Sequence, residues 1–296
     1  MTHCIRPGTR KGLEIGGTMH DESARLYGGG GTKRVTITDL AVAKERGERW
    51  PMLTAYDATT AQILDEAGIP VLLVGDSAAM LVYGYDSTIP VTIDELLPLV
   101  RGVVRGSKRA LVVADLPFGT YQQSVEQALE TGARFLKDGT AHAVKLEGGH
   151  AVLPQVRALT DAGIPVMAHL GLTPQSVHQF GGYKVQGRGE AGELLIEEAK
   201  LLEAAGAFAL VLEVVPAELA ERVTAALRIP VIGIGAGNQC DAQVLVWQDL
   251  VGMTRGGTAK FVKQYADVAS IIATSVRDWA DDVASGAYPT DAHSYH

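Results

Sequence analysis

The sequence predicts a single α/β domain folded as a (β/α)₈, TIM-type barrel, and two observations carry that expectation. Short, nearly uninterrupted apolar runs alternate with segments of helical length, the pattern of parallel strands joined by helical crossovers and covered on both faces. A weak repeat, Ala-Gly-Ile-Pro-Val, occurs at residues 67–71 and 162–166, with Ile229-Pro230-Val231 as a degraded third copy, and each copy precedes an apolar run. Its prolines, Pro70, Pro165 and Pro230, stand 95 and 65 residues apart, close to three and two units of about 32 residues, the length of one βα unit. If Pro70 opens the second strand, Pro165 opens the fifth and Pro230 the seventh, and eight units are expected. An open doubly wound sheet is the competing architecture.

In chain order, the predicted strands cover residues 52–56, 71–75, 110–114, 143–146, 166–168, 209–212 and 231–234, with 244–247 as the eighth. The segment 193–205 reads as a helix that places Leu195, Ala199 and Leu202 on one face and Glu197 and Lys200 on another, and Gly206 stops it. Residues 160–163 end the preceding helix in the same way. Residues 1–34, with scattered charges and the glycine run at 28–31, are expected to form a flexible arm. The barrel is then expected over 35–290, and 291–296 should fray.

Composition limits the partners. The chain has 296 residues, 47% hydrophobic and 20% charged, which is ordinary globular usage. Its net charge of -8 leaves no basic field for nucleic acid or an anionic membrane, so a small-molecule partner is expected. No run reaches the ~18 apolar residues that cross a bilayer, and 1–34 carries no apolar secretion segment. Cys4 and Cys240 are too far apart in sequence to suggest a disulfide framework or a zinc site, so a cytoplasmic setting is expected.

Polar residues follow nearly every apolar run: Asp57, Asp76, Asp115, Glu147, His169 and Glu213. In a parallel barrel these strand ends lie on one face, where ligands bind. Each Asp could instead cap the next helix. Six such positions in register are harder to assign to capping, and a set of buried carboxylates calls for a cation or for protonation of some members. Carboxylates without cysteine favour Mg²⁺, or Mn²⁺, over zinc, and no EF-type loop supports calcium.

Other motifs carry less. Residues 187–192 match G-x-G-x-x-G but follow no strand, and 233–238 follow one with the wrong spacing for a dinucleotide. P-loop and nucleophile-elbow patterns are absent from the sequence. Residues 173–190 exceed a minimal βα loop and contain Tyr183, Lys184 and Arg188, as a lid or binding loop does. His142 and His178 read as structural, and Met80 and Trp247 as core or loop packing.

Seven stretches together resemble the ketopantoate hydroxymethyltransferase family. They are Thr54-Ala55-Tyr56-Asp57, Val74-Gly75-Asp76-Ser77, Ala114-Asp115-Leu116-Pro117-Phe118, Val144-Lys145-Leu146-Glu147-Gly148-Gly149, the run from His169 to Ser176, the G-G-Y-K-V-Q-G-R string from Gly181 to Arg188, and residues 233–238. The resemblance implies a Mg²⁺-dependent barrel that transfers a one-carbon unit from 5,10-methylenetetrahydrofolate to 3-methyl-2-oxobutanoate in pantothenate and coenzyme A biosynthesis. It implies Asp76 and Asp115 as metal ligands and Glu147 acting on the metal through water. Ser77, Lys145 and His169 would contact the oxoacid, and Glu213 would be the catalytic base. It also implies a homo-oligomer, commonly a decamer. The chain departs from the family pattern at Ala78-Ala79-Met80, at His150 and around 253–257. A Mg²⁺-dependent 2-oxoacid carbon-carbon lyase of a related barrel and a non-catalytic metabolite-binding barrel are the alternatives. The first would lack the G-G-Y-K-V-Q-G-R loop, and the second would be expected to lose the base or a metal ligand.

Overall fold

The fold was analysed in a computed structural model that describes residues 25–28 and 31–296. Eight strands, β1 (Trp50–Thr54), β2 (Val71–Val74), β3 (Leu111–Asp115), β4 (Ala143–Glu147), β5 (Val166–Gly171), β6 (Ala209–Glu213), β7 (Val231–Ile234) and β8 (Ala242–Leu245), pair in parallel in chain order. β8 pairs with β1, so the sheet closes and the open doubly wound alternative is excluded. Pro70, Pro165 and Pro230 stand immediately before β2, β5 and β7, where a missing N–H removes no ladder bond. Their carbonyls accept from the N–H groups of Leu111, Val144 and Leu210 at 2.9, 3.0 and 2.9 Å.

Only β7 keeps both of its predicted bounds, and two strands begin earlier than predicted. β1 and β8 each begin two residues earlier, because closure pairs Trp50 with Ala242 and Pro51 with Gln243. Barrel closure thus recruits Pro51 and Gln243, which an apolar run alone would omit.

The helices are α1 (Ile37–Glu45), α2 (Ala58–Glu66), α3 (Ala78–Leu81), α4 (Ile93–Gly106), α5 (Val125–Lys137), α6 (Leu153–Asp161), α7 (Val177–Phe180), α8 (Glu190–Ala204), α9 (Ala217–Ala226), α10 (Trp247–Leu250) and α11 (Val268–Ser285). In α8, Leu195, Ala199 and Leu202 are buried as their spacing predicts, Lys200 pairs with Glu197 on the outer face, and Gly206 beyond its end has φ +99°. Met80 lies exposed on α3.

The core has two layers set by the alternation of a strand. Leu72, Val74, Val112, Ala114, Val144, Leu146, Ala168, Leu210 and Leu212 point outward and pack beneath the helices. Met52, Val71, Leu73, Leu111, Val113, Ala143, Met167, Ala209, Val211 and Ile232 fill the barrel interior. Burying each Leu, Val or Met contributes about 1.5–3 kcal/mol. Leu26, Val35, Leu40 and Ala43 join the inner cluster, so the segment around α1 closes the amino-terminal end of the barrel.

Carboxylates at that end satisfy strand-entry amides. Asp65 accepts from the N–H groups of Lys108, Arg109 and Ala110 at 2.8, 3.1 and 2.6 Å, and Asp241 from Val231 at 2.8 Å. Of the arm expected over 1–34, residues 1–24 and 29–30 lie outside the described residues, as does Cys4. Arg34 donates to the carbonyls of Ala110 and Ser107 at 2.6 and 2.9 Å. At the other terminus, Asp291–His293 forms a single 3₁₀ turn. No helix among the described residues is long and apolar enough to cross a membrane.

α2 and α4 approach closely at glycine. A Cβ at Gly106 would overlap the backbone of Ala58, whereas one at Gly102 would sit 3.5 Å from the Ala58 nitrogen, an ordinary contact. Gly106→Ala is therefore expected to destabilise the protein by about 1–3 kcal/mol through overpacking. Gly102→Ala should instead gain up to about 1 kcal/mol of helix propensity. Urea denaturation midpoints of the two variants provide the comparison.

Candidate active site

Inward-pointing positions change character toward the carboxyl ends of the strands. Leu111 and Val113 are followed on the same face by Asp115, Ala143 by Lys145 and Glu147, Met167 by His169, and Ala209 and Val211 by Glu213. Register then makes neighbours of them: Asp115 pairs with Lys145 across β3–β4, and Glu147 with His169 across β4–β5. Asp76 arrives differently. It lies beyond β2, in the turn that leads through Ser77 into α3, and its own N–H donates to Asp115 Oδ2 at 3.1 Å.

All seven residues implied by the resemblance, Asp76, Ser77, Asp115, Lys145, Glu147, His169 and Glu213, line one cavity of about 120 Å³ at this end. Thr54, Thr88, Pro174 and Ile234 complete part of its wall. A larger cavity of about 640 Å³ lies at the amino-terminal end, among Leu26, Arg34, Asp39, Arg46 and Arg109, away from every strand-end candidate.

The site concentrates buried charge. Asp76, Asp115, Lys145, Glu147 and His169 are each at most 5% exposed. Lys145 Nζ lies 2.9 Å from Asp115 Oδ1, 3.9 Å from Glu147 Oε1 and 3.3 Å from His169 Nδ1. His169 bridges two acids, with Nδ1 3.4 Å from Glu147 Oε1 and Nε2 3.3 Å from Glu213 Oε2. Burial, followed by the negative charges of Asp115 and Glu147, raises the Asp76 carboxyl well above its ordinary value. Burial likewise raises Asp115, against the pull of Lys145. Burial opposes the charge on Lys145, but Asp115, Glu147 and Asp76 outweigh it and raise the ammonium pKa. Glu147 is held below the usual carboxylate range, because His169 and Lys145 overcome its own burial.

Four carboxyl groups face one ammonium and one imidazole here, so the donor set has spare negative charge. Among the described residues no group of three His, Cys, Asp or Glu side chains is arranged to hold an ion by itself. Two aspartates are nevertheless a sufficient protein contribution for Mg²⁺, which keeps several waters and accepts substrate oxygens. Among the described residues Asp76 Oδ1 has no hydrogen-bond partner, and each partnered carboxylate oxygen retains a second lone pair. Asp76 and Asp115 thus fit a hard divalent cation.

Asp57 is a correction to the strand-end reading. It does not line the cavity. Its carboxylate caps α2, accepting from the Thr60 N–H at 2.8 Å and the Thr60 hydroxyl at 2.7 Å. The G-x-G-x-x-G string opens α8, where a Cβ on Gly187 would strike Leu219, so its glycine serves helix packing. His142 Nδ1 accepts from the Val112 N–H at 3.0 Å, a structural role.

Three contributors went unrecognised in the sequence. Tyr56 hydrogen-bonds through its hydroxyl with Ser77 Oγ at 2.8 Å. Tyr121 and Gln175, both buried, connect Glu147 to Asp76. Neither follows an apolar run, and only their place inside the quoted family stretches, in the case of Tyr56 and Gln175, could have drawn notice.

Burial and Lys145 both oppose protonation of His169, yet its contacts with Glu147 and Glu213 raise it to about 9 from 6.5. A raised folded-state value means that proton binding stabilises the fold fully below about pH 6.5 and that this contribution is lost as pH rises through about 9. In metal-free protein, NMR titration of the imidazole should give a midpoint near 9, and Glu213→Gln should lower it.

Similarity to known proteins identifies the family. The sequence profile described as "Ketopantoate hydroxymethyltransferase" matches residues 34–291. A 3-methyl-2-oxobutanoate hydroxymethyltransferase of Frankia casuarinae is 63% identical over 281 residues, covering 93% of this chain and 95% of the relative. One of the same name from Thermobifida fusca is 61% identical, covering 94% and 99%. Among solved structures, a phosphonopyruvate hydrolase complexed with oxalate and Mg²⁺ superposes with a TM-score of 0.58 at 12% identity, covering 88% of this chain and 91% of that one. 2,3-Dimethylmalate lyase, a PEP mutase/isocitrate lyase superfamily member, superposes with a TM-score of 0.54 at 17% identity, covering 86% and 90%. At such identities the last two show a shared barrel and no more. With the profile spanning most of the barrel and identity above 60% through nearly the whole chain, this protein belongs to the ketopantoate hydroxymethyltransferase family.

Proposed function

We propose that this enzyme transfers a hydroxymethyl group from 5,10-methylenetetrahydrofolate to 3-methyl-2-oxobutanoate, forming 2-dehydropantoate. One observation carries the choice of substrate: 63% identity, through 93% of the chain, to a relative named for that reaction. The site supplies groups suited to each step.

In this reading Asp76 and Asp115 hold Mg²⁺, with Glu147 acting through bound water, and the cation when bound supplies Lewis acidity at the keto oxygen of the oxoacid. Lys145 and protonated His169 bring positive charge to the anionic substrate, which favours its binding in a pocket otherwise lined by acids. Ser77, its hydroxyl tied to Tyr56, orients the substrate through a hydrogen bond. Glu213 is the catalytic base. Its Oε2 faces His169, which leaves Oε1 to take the proton from C3. The electron pair left at C3 forms the new carbon–carbon bond to the methylene carbon, both carbon–nitrogen bonds of that carbon to the folate break with their electron pairs left on nitrogen, water supplies the hydroxyl, and the proton from C3 and one from water end on the two nitrogens.

Residues 173–190 act as the covering loop of the site. Burial raises the Tyr183 phenol, and so do Glu213, Asp76 and Glu147, which ties this segment electrostatically to the acids. We further infer a homo-oligomer, of decamer size in the family reading, in a cytoplasmic setting. Supporting association, no residue of α11 is buried, and Ile271, Ile272, Val276, Trp279 and Val283 are exposed on that single helix.

Incubation with both substrates and Mg²⁺ should yield 2-dehydropantoate, and its absence would overturn the reading. Asp115→Ala should weaken Mg²⁺-dependent oxoacid binding in calorimetry, because Asp115 would hold the cation on which that binding depends. Glu213→Gln should still bind oxoacid but lose about 10²- to 10⁴-fold in the rate of deuterium entry at C3, measured in D₂O without folate. Exchange as fast as wild type would place the base elsewhere.

A further inference from the structure

Gln175 makes more directed contacts to the acid cluster than any role assigned so far explains. It sits in the 3₁₀ turn Pro174–Ser176 just after β5 and is 5% exposed. Its backbone N–H donates to Glu147 Oε2 at 3.0 Å. Its side-chain amide donates to Asp76 Oδ2 at 2.9 Å and to the Leu116 carbonyl at 3.0 Å. Its carbonyl oxygen accepts from the Tyr121 hydroxyl at 2.8 Å and from Gln122 Nε2 at 3.1 Å.

The four side-chain contacts determine which way round the carboxamide sits. Reversing it would set its oxygen against two acceptors, Asp76 Oδ2 and the Leu116 carbonyl, and its NH₂ against the Gln122 amide. Tyr121 adds a second constraint, since its hydroxyl also lies 3.0 Å from the Glu147 carbonyl and 3.1 Å from the Glu147 N–H. One side chain and one phenol therefore link the turn after β2, the end of β4 and the turn after β5.

Resting on the functional reading above, we propose that Gln175 is a positioning residue for the acid pair and that Tyr121 orients it. By occupying Asp76 Oδ2, the amide leaves Oδ1 as the oxygen presented to a ligand. By occupying Glu147 Oε2, the backbone N–H turns Oε1 toward Lys145 and His169. Each carboxylate would otherwise rotate about its terminal torsion, and the like charges of Asp76 and Glu147 would drive them apart. A buried donor aimed at each acid holds the geometry before any ligand arrives, which is how outer partners tune a metal site. The residue also lies at the root of the 173–190 loop, so the loop's anchor and the acids share one set of hydrogen bonds.

The test compares wild type, Gln175→Met, Tyr121→Phe and the double variant, with Gly106→Ala as a control destabilised away from the cavity. Met keeps the length and bulk of Gln without a donor, and Phe keeps the ring. Two quantities are measured for each: the affinity for Mn²⁺ alone and with 3-methyl-2-oxobutanoate by calorimetry, and the urea midpoint. We expect Gln175→Met to weaken cation binding by about 10- to 100-fold, Tyr121→Phe to weaken it by less, and the double variant to fall short of the product of the two. Gly106→Ala should lose stability with its cation affinity intact. Unchanged affinity in a folded Gln175→Met overturns the proposal, as does a loss that Gly106→Ala reproduces at equal destabilisation. If Gln175→Met fails to fold, Tyr121→Phe decides: wild-type affinity there overturns the proposal. Wild type binding neither Mn²⁺ nor the oxoacid overturns the functional reading and this inference together, which distinguishes that failure from the others.

Discussion

Alternate residues of a barrel strand point to opposite sides of the sheet, and the site of this protein is built on which side each polar residue takes. Asp115, Lys145, Glu147, His169 and Glu213 all continue inward-facing series that begin with Leu111, Ala143, Met167 and Ala209. The same parity that packs the lower barrel with apolar side chains delivers charge to its upper end. A one-residue slip of any of these strands would turn its charged group beneath the helices and a Leu, Val or Ala inward. The apolar outer layer and the closed register are what prevent that slip.

Closure fixes neighbours as well as directions. Asp115 beside Lys145 and Glu147 beside His169 are adjacent-strand pairs, so oppositely charged groups are brought within reach of one another before side-chain torsions are considered. This arrangement limits the cost of burying charge, since each carboxylate that loses water finds a donor in the wall. The balance is incomplete. Burial, with the neighbouring acids, keeps the Asp76 and Asp115 carboxyls above their ordinary values. In the proposed function the excess acids serve the cation and the Lys–His pair serves the anionic oxoacid.

The solved barrels that share this architecture are only 12% and 17% identical to the chain, so the scaffold does not specify the reaction. In this chain the charged groups stand at strand ends, and a long segment follows β5. That segment bears Gln175 at its root, hydrogen-bonded to Glu147 and Asp76.

The sequence by itself determined the barrel, its unit count and most of the charged residues that line the cavity. Apolar runs at a repeating interval and prolines before strands are local features that the closed sheet requires, so they could be read one segment at a time. Family resemblance added Lys145 and Ser77, which periodicity does not mark. Only the tertiary structure decided the rest. Asp57 and Asp76 both follow apolar runs, yet one caps α2 and the other enters the cavity, because the turn after β2 re-aims Asp76 toward Asp115 while the chain after β1 presents Asp57 to the amides of its own helix. Gln175 and Asp76 are 99 residues apart and meet at 2.9 Å. Such a contact depends on closure of the whole sheet, and no local pattern of residues encodes it.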